Sequence, residues 1–127
     1  EAWSAMDVGR AINPRLVEVQ IEGGFVQGMG FALYEEMIWD GARLANPSLM
    51  DYKIPTSADA PPIHSIIIED PEPDGPFGAK GAGEIGLNAV PASIANAVNA
   101  CCYGVSKALP LSSERVLARI LEDEDAS

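Results

Sequence analysis

At 127 residues with a formal charge of −11, the chain is one domain by length and too acidic to grip nucleic acid or an anionic membrane, which need clustered Lys and Arg. Aromatic residues make up only 6% against 47% apolar, so the core has to be built from Ala, Val, Ile and Leu. No apolar run approaches the roughly 18 residues of a membrane span, and no N-terminal signal pattern is present.

The stretch AWSAMDVG opens the chain with the loose alternation of a strand, and Asp7 and Arg10 in DVGR read as local turn contacts. In AINP, Asn13 is placed to cap a helix with Pro14 at its first position. Val19, Val26, Met29, Leu33 and Met37 then recur at helical spacing, which predicts a long amphipathic helix over residues 15–37. Gly23, Gly24, Gly28 and Gly30 interrupt it at about 1 kcal/mol each relative to Ala, a loss that predicts close packing against a sheet or a ligand.

A turn at Asp40–Gly41 leads into the irregular run NPSLMDYKIPTSADAPP, long enough to suggest that it covers a site or a partner surface, with Tyr52 and Lys53 fixing it. Ile63 to Glu69 is β-branched and reads as a buried strand, with His64, the only histidine, in a structural or surface role. A second irregular stretch, DPEPDGPFGAKGAG, delivers Glu84. Asn88 and Pro91 start a further helix carried by Ile94, Val98, a cysteine, Val105 and Leu109, which would place at least one cysteine in the core. Ser112 caps a last helix, SERVLARIL, and the acidic run from Glu122 is expected to be a disordered tail over residues 122–127. The fold class is α+β: a long glycine-containing helix, few strands and a C-terminal helix pair. The adjacent Cys101 and Cys102 suit neither a disulfide nor a zinc site, which points to a reduced, cytoplasmic setting.

Gly81 to Gly86, GAGEIG, matches G-x-G-x-x-G, yet a proline- and glycine-rich stretch separates it from the preceding strand, and Cys101 stands about 20 residues on, where a Rossmann acid belongs. A P-loop fails too, because no Ser or Thr follows Lys80. What remains is a glycine loop able to cradle an anion or polar cofactor, with Glu84 either complementing a helix start or acting as a base.

The order of DVGRAINP, VEVQIEGGFVQGMGFALYEE, NPSLMDYKIPTSADAPP, GPFGAKGAGE, PASIANAV and LPLSSERVLARI closely resembles one family. It looks like the C-terminal part of the molybdopterin-binding subunit of the xanthine dehydrogenase and aldehyde oxidase family, the molybdenum hydroxylases. The resemblance implies that residues 1–121 form a segment of a molybdenum cofactor-binding domain. It implies that Glu84 is the general base, taking a proton from a metal-bound hydroxide that attacks an electron-poor substrate carbon. It places Gln20, Lys80, Gly81, Ala82 and Gly83 near the molybdopterin cofactor, with Gln27 a weaker candidate. No residue of this chain is implied as a metal ligand. Iron–sulfur clusters and FAD would sit on other domains or subunits, the remainder of the molybdopterin-binding subunit would be the main partner, and the chain alone would be inactive. The alternative is a non-catalytic interaction domain that kept this fold, with Glu84 as a helix-start acid.

Overall fold

The structure, a computed structural model, describes residues 1–102 and 107–125, with side chains through residue 122. Its elements are β1 (Ala2–Asp7), α1 (Pro14–Leu33), β2 (Trp39–Asp40), β3 (Arg43–Leu44), β4 (Ile63–Ile68), α2 (Ile85–Asn88), α3 (Val90–Cys101) and α4 (Ser113–Asp125). β1 and β4 pair in parallel, from Ala2 opposite Ile63 to Asp7 opposite Ile68. Parallel strands need a long crossover, and α1 lies within it and packs on β4. β2 and β3 form a separate hairpin whose turn uses Gly41 at φ 59, the left-handed conformation glycine adopts without strain.

α1 starts as the sequence predicts. Asn13 Oδ1 accepts the Leu16 N–H at 3.2 Å, and Pro14 stands in the first turn. The helix ends at Leu33 rather than at residue 37, because the N–H groups of Tyr34 and Glu35 both close on the Gly30 carbonyl, at 2.9 and 2.8 Å. The predicted apolar stripe is also displaced: Val19 and Met37 are exposed, while Ile21, Gly24, Gly28, Met29 and Ala32 are buried. A Cβ on Gly24 would lie 2.9 Å from the Gly86 carbonyl carbon, and one on Gly28 would lie 2.7 Å from Val90 Cβ. Gly24 and Gly28 therefore let α1 approach the α2–α3 region closely, helix against helix rather than helix against sheet.

Three further expectations change. β4 alternates half-buried and exposed residues, with Ile66 and Ile68 near half exposure, because the helices cover only one face of a two-stranded sheet. α3 begins at Val90 with Pro91 in its first turn, leaving Asn88 at the end of α2 rather than as its cap. α3 closes at Cys101, where Cys102 turns extended; Cys101 is exposed and Cys102 half-buried, so neither joins the core, Leu109 lies beyond the helix, and Val105 is outside the described residues.

The core is small: Val8, Ile21, Met29, Ala32, Val90 and Leu111. Leu111 donates its N–H to the Ala32 carbonyl at 2.6 Å, and Arg115 bonds Glu36 at 2.5 Å, which ties the start of α4 to the end of α1. Ser112 caps α4 through the Arg115 N–H. The acidic run expected to be a disordered tail continues α4 through Asp125, with Arg119 paired to Glu122 one turn on at 3.2 Å.

The long run after β3 packs over the C-terminal end of α1. Asn46 is buried and bonds both the Ile38 N–H and the Glu36 carbonyl, and Tyr52 donates to Glu35 at 2.6 Å. Lys53 bonds the nearby Met50 carbonyl.

Gly23 and Gly24 separate packing from propensity. No described atom lies within 4 Å of a Cβ on Gly23, so Gly23→Ala should stabilise the isolated chain by about 1 kcal/mol. Gly24→Ala should destabilise it by about 1–3 kcal/mol, since backbone stands in the way. Urea unfolding of both variants gives the two signs.

Candidate cofactor-binding site

Beyond β1 the chain is tied to the glycine loop. Gly9, at φ 63, bridges Ala79 in antiparallel fashion. Arg10 donates its N–H to the Gly78 carbonyl at 2.8 Å, and Lys80 donates its own to the Val8 carbonyl at 2.9 Å. Side chains reinforce the seam. Asp7 Oδ2 accepts from Lys80 Nζ at 2.5 Å, while Oδ1 accepts the N–H groups of Gly9 at 2.9 Å and Asp70 at 3.3 Å. Glu69 accepts the Ala11 N–H at 2.7 Å. The hydrogen bond from Lys80, followed by that from Gly9, holds the Asp7 carboxyl below its usual range, and Asp7 in turn raises Lys80.

Beside this seam lies a cleft of about 210 Å³ whose lining includes Val8, Arg10, Leu16, Gln20, Lys80 and Ala82. Three of the residues singled out in the sequence, Gln20, Lys80 and Ala82, thus meet across one opening. Gly81 and Gly83 flank Ala82, both exposed. A Cβ on either would meet no described atom within 4 Å, and neither has the positive φ that demands glycine. Glu84 follows at the residue before α2. It is exposed, its carbonyl accepts the Leu87 N–H at 3.2 Å, and its side chain makes no capping bond. Its carboxylate has no hydrogen bond or ion pair among the described residues, and it lies outside the cleft lining.

Gln27 is exposed on α1 and does not line the cleft. Arg10, read from sequence as a turn residue, makes that turn contact with its backbone and also lines the cleft. Asp7 is the larger omission: its bond to Lys80 spans 73 positions, and no local pattern signals a pairing that distant. His64 is at the surface, stacked on Trp3 at 5.2 Å and bonded to Glu1 at 2.8 Å.

Residues 1–61 match the molybdopterin cofactor-binding domain model. Over 121 residues the chain is 42% identical to the 6-hydroxypseudooxynicotine dehydrogenase complex subunit gamma of Paenarthrobacter nicotinovorans, covering 91% of this chain and 15% of that protein. It is 41% identical over 112 residues to a putative xanthine dehydrogenase molybdenum-binding subunit of Escherichia coli, covering 87% of this chain and 15% of the relative. The chain belongs to the molybdenum hydroxylases. It superposes on quinoline 2-oxidoreductase from Pseudomonas putida 86 with a TM-score of 0.87 and 40% identity, over 94% of this chain and 16% of that one. This molybdenum hydroxylase segment thus spans about 15% of the length of the relatives it matches.

The Asp7–Lys80 link makes the seam pH-dependent at both extremes. Asp7, depressed when folded, contributes stability above its ordinary value of 3.8, lost as pH falls through that value and below it. Lys80, raised when folded, contributes below its ordinary value of 10.5, lost as pH rises above it. Asp7→Asn should lower the melting temperature between these limits and flatten both flanks of its pH profile, as read by thermal unfolding across pH. An unchanged profile would show that the pair does not hold the loop.

Proposed function

We propose that this chain carries the general base, Glu84, of a molybdenum-cofactor-dependent oxidoreductase that hydroxylates a purine, aldehyde or N-heterocycle using water. Gln20, Lys80, Gly81, Ala82 and Gly83 form the wall that faces the cofactor. The molybdopterin-type cofactor, when bound, supplies Lewis-acid and two-electron redox chemistry. No group of His, Cys, Asp or Glu among the described residues is arranged to hold a metal ion, so this chain would meet the cofactor through backbone and polar side chains.

One observation carries this reading: Gly81 and Gly83 are glycines that nothing described in this chain requires. Neither packing nor backbone conformation asks for them, and each raises the cost of ordering the loop. They leave room for a group that approaches the backbone from outside the chain, next to a carboxylate with no partner among the described residues. Lys80 serves as the anchor of that wall, its ammonium bonded to Asp7, and so sets where Gly81 to Glu84 emerge.

A carboxylate acts as a base near neutral pH when burial raises its pKa. Glu84 is exposed in this chain, so the enclosing wall comes from the remainder of the molybdopterin-binding subunit, and the chain by itself does not turn over substrate. Iron–sulfur and flavin domains or subunits complete the electron path, in a cytoplasmic assembly.

The test is the molybdenum-to-protein ratio of the tagged chain purified gently from its host, with mass spectrometry of what accompanies it. Near-stoichiometric molybdenum with a larger polypeptide is the expected result. In that assembly Glu84→Gln should lower kcat by about 100-fold or more while molybdenum content stays the same. Retention of most of the activity would place the base elsewhere.

A further inference from the structure

α3 ends on two adjacent thiols that stand in different surroundings. Cys101 is its last residue and is exposed, while Cys102 turns to φ −111, ψ 138 and is half-buried. The Cys102 N–H closes the helix on the Val98 carbonyl at 3.0 Å. Cys102 also lines a cavity of about 70 Å³ between α3 and α4, together with Val98, Leu111, Arg115, Val116 and Arg119. A volume of that size holds a few water-sized molecules and no peptide.

Arg115 and Arg119 give the cavity a positive wall. Their carboxylate partners, Glu36 and Glu122, are outside the lining among the described residues. A partly exposed cysteine on a positive wall, with a second thiol one residue away, is the setting of oxidation-sensing cysteines.

We propose that Cys102 is an oxidation site for hydrogen peroxide, that Cys101 is its resolving thiol, and that the disulfide between them loosens α4. Neither thiol is part of the cofactor wall proposed above. Cys102 Sγ attacks one peroxide oxygen: an S–O bond forms, the O–O bond breaks, and the released hydroxide takes the thiol proton as water. Cys102 is thereby oxidised to the sulfenic acid and the peroxide is reduced, with the two guanidinium groups placed to pair with a sulfenate. Cys101 Sγ then attacks the Cys102 sulfur: an S–S bond forms, the S–O bond breaks, and the second oxygen leaves as water with the Cys101 proton.

Neighbouring Cα atoms stand about 3.8 Å apart, closer than ordinary disulfides bridge, so this bond is strained and readily reduced. Adjacency is unsuited to a permanent crosslink and suited to a reversible one. Side chains one residue apart leave a helix about 100° apart around its axis, so joining the sulfurs requires Cys101 to give up its helical conformation. That change breaks the bond to Val98 and draws the Cys102 sulfur out of the cavity. α4 forms the opposite wall, and it then depends on the tether near its start, the Leu111 N–H on the Ala32 carbonyl and Arg115 on Glu36.

The probe is hydrogen peroxide, applied to the chain as it purifies from its host with any larger polypeptide that accompanies it. The peptide holding both cysteines should lose about 2 Da, and a dithiol reductant should restore it. In Cys101→Ser, dimedone should trap a sulfenic acid on Cys102; in Cys102→Ser, Cys101 should stay a thiol at the same dose. Arg119→Gln should slow the oxidation about tenfold by removing one of the two positive groups. In the oxidised chain the amides of α4 should exchange about tenfold faster, while α1 keeps its exchange pattern.

Unreacted thiols, a disulfide between chains, or equal dimedone capture in the two serine variants would overturn the proposal. So would an internal disulfide that leaves exchange in α4 unchanged. Molybdenum content enters none of these readouts, so either result leaves the reading of Glu84 as it stands.

Discussion

The contact on which the rest of this structure depends is the backbone approach of α1 to the start of α2. A Cβ on Gly86 would sit 3.1 Å from Ile21 Cα and 3.3 Å from the Gln20 carbonyl, and Gly24 meets the Gly86 backbone from the other side. Gly86 stands two residues after Glu84, and Ile21 one residue after Gln20. The spacing between the candidate base and the candidate cofactor glutamine is therefore set by main chain on main chain, with no side chain between them to change rotamer. Such a contact is stiff, which a catalytic group needs if its geometry is to survive thermal motion.

A second constraint acts on the other end of the same loop. The bridge between Gly9 and Ala79, with Asp7 gripping Lys80, fixes where the glycine segment begins, and the α1–Gly86 contact fixes where it ends. Between these anchors Gly81 to Glu84 present open backbone and a carboxylate without a hydrogen bond or ion pair among the described residues. The loop is thus pinned at both ends and bare in the middle, the arrangement expected of a surface that completes a site with a group from elsewhere. Among the described residues the β1–β4 sheet has two strands, and several large apolar side chains, such as Trp3, Ile66 and Leu117, are exposed.

Much of this was legible in the chain itself, because some signals act locally. Asn13 and Pro14 start α1, Ser112 starts α4, and Gly41 makes its turn, since each supplies a hydrogen bond or a dihedral angle within a few residues. The order of motifs identified the molybdenum hydroxylases. Gln20, Lys80, Gly81, Ala82, Gly83 and Glu84 were all marked by those motifs.

Tertiary structure decided what depends on separations no local rule can span. The apolar stripe of α1 pointed to Val19 and Met37, yet the buried face runs through Gly24 and Gly28, because a glycine face admits another backbone more closely than any larger side chain could. β4 looked buried from its isoleucines and is half exposed, because burial depends on how many layers cover a sheet, which a strand's own residues do not encode. Asp7 looked like a turn residue and is also the partner of Lys80, because an ion pair between distant positions follows from the course of the chain alone. The sequence by itself determined the family, the starts of α1 and α4 and the residues of the glycine loop, all carried by short-range chemistry; only the fold decided which of them share a cleft and what pins the loop in place, since those are contacts made across space.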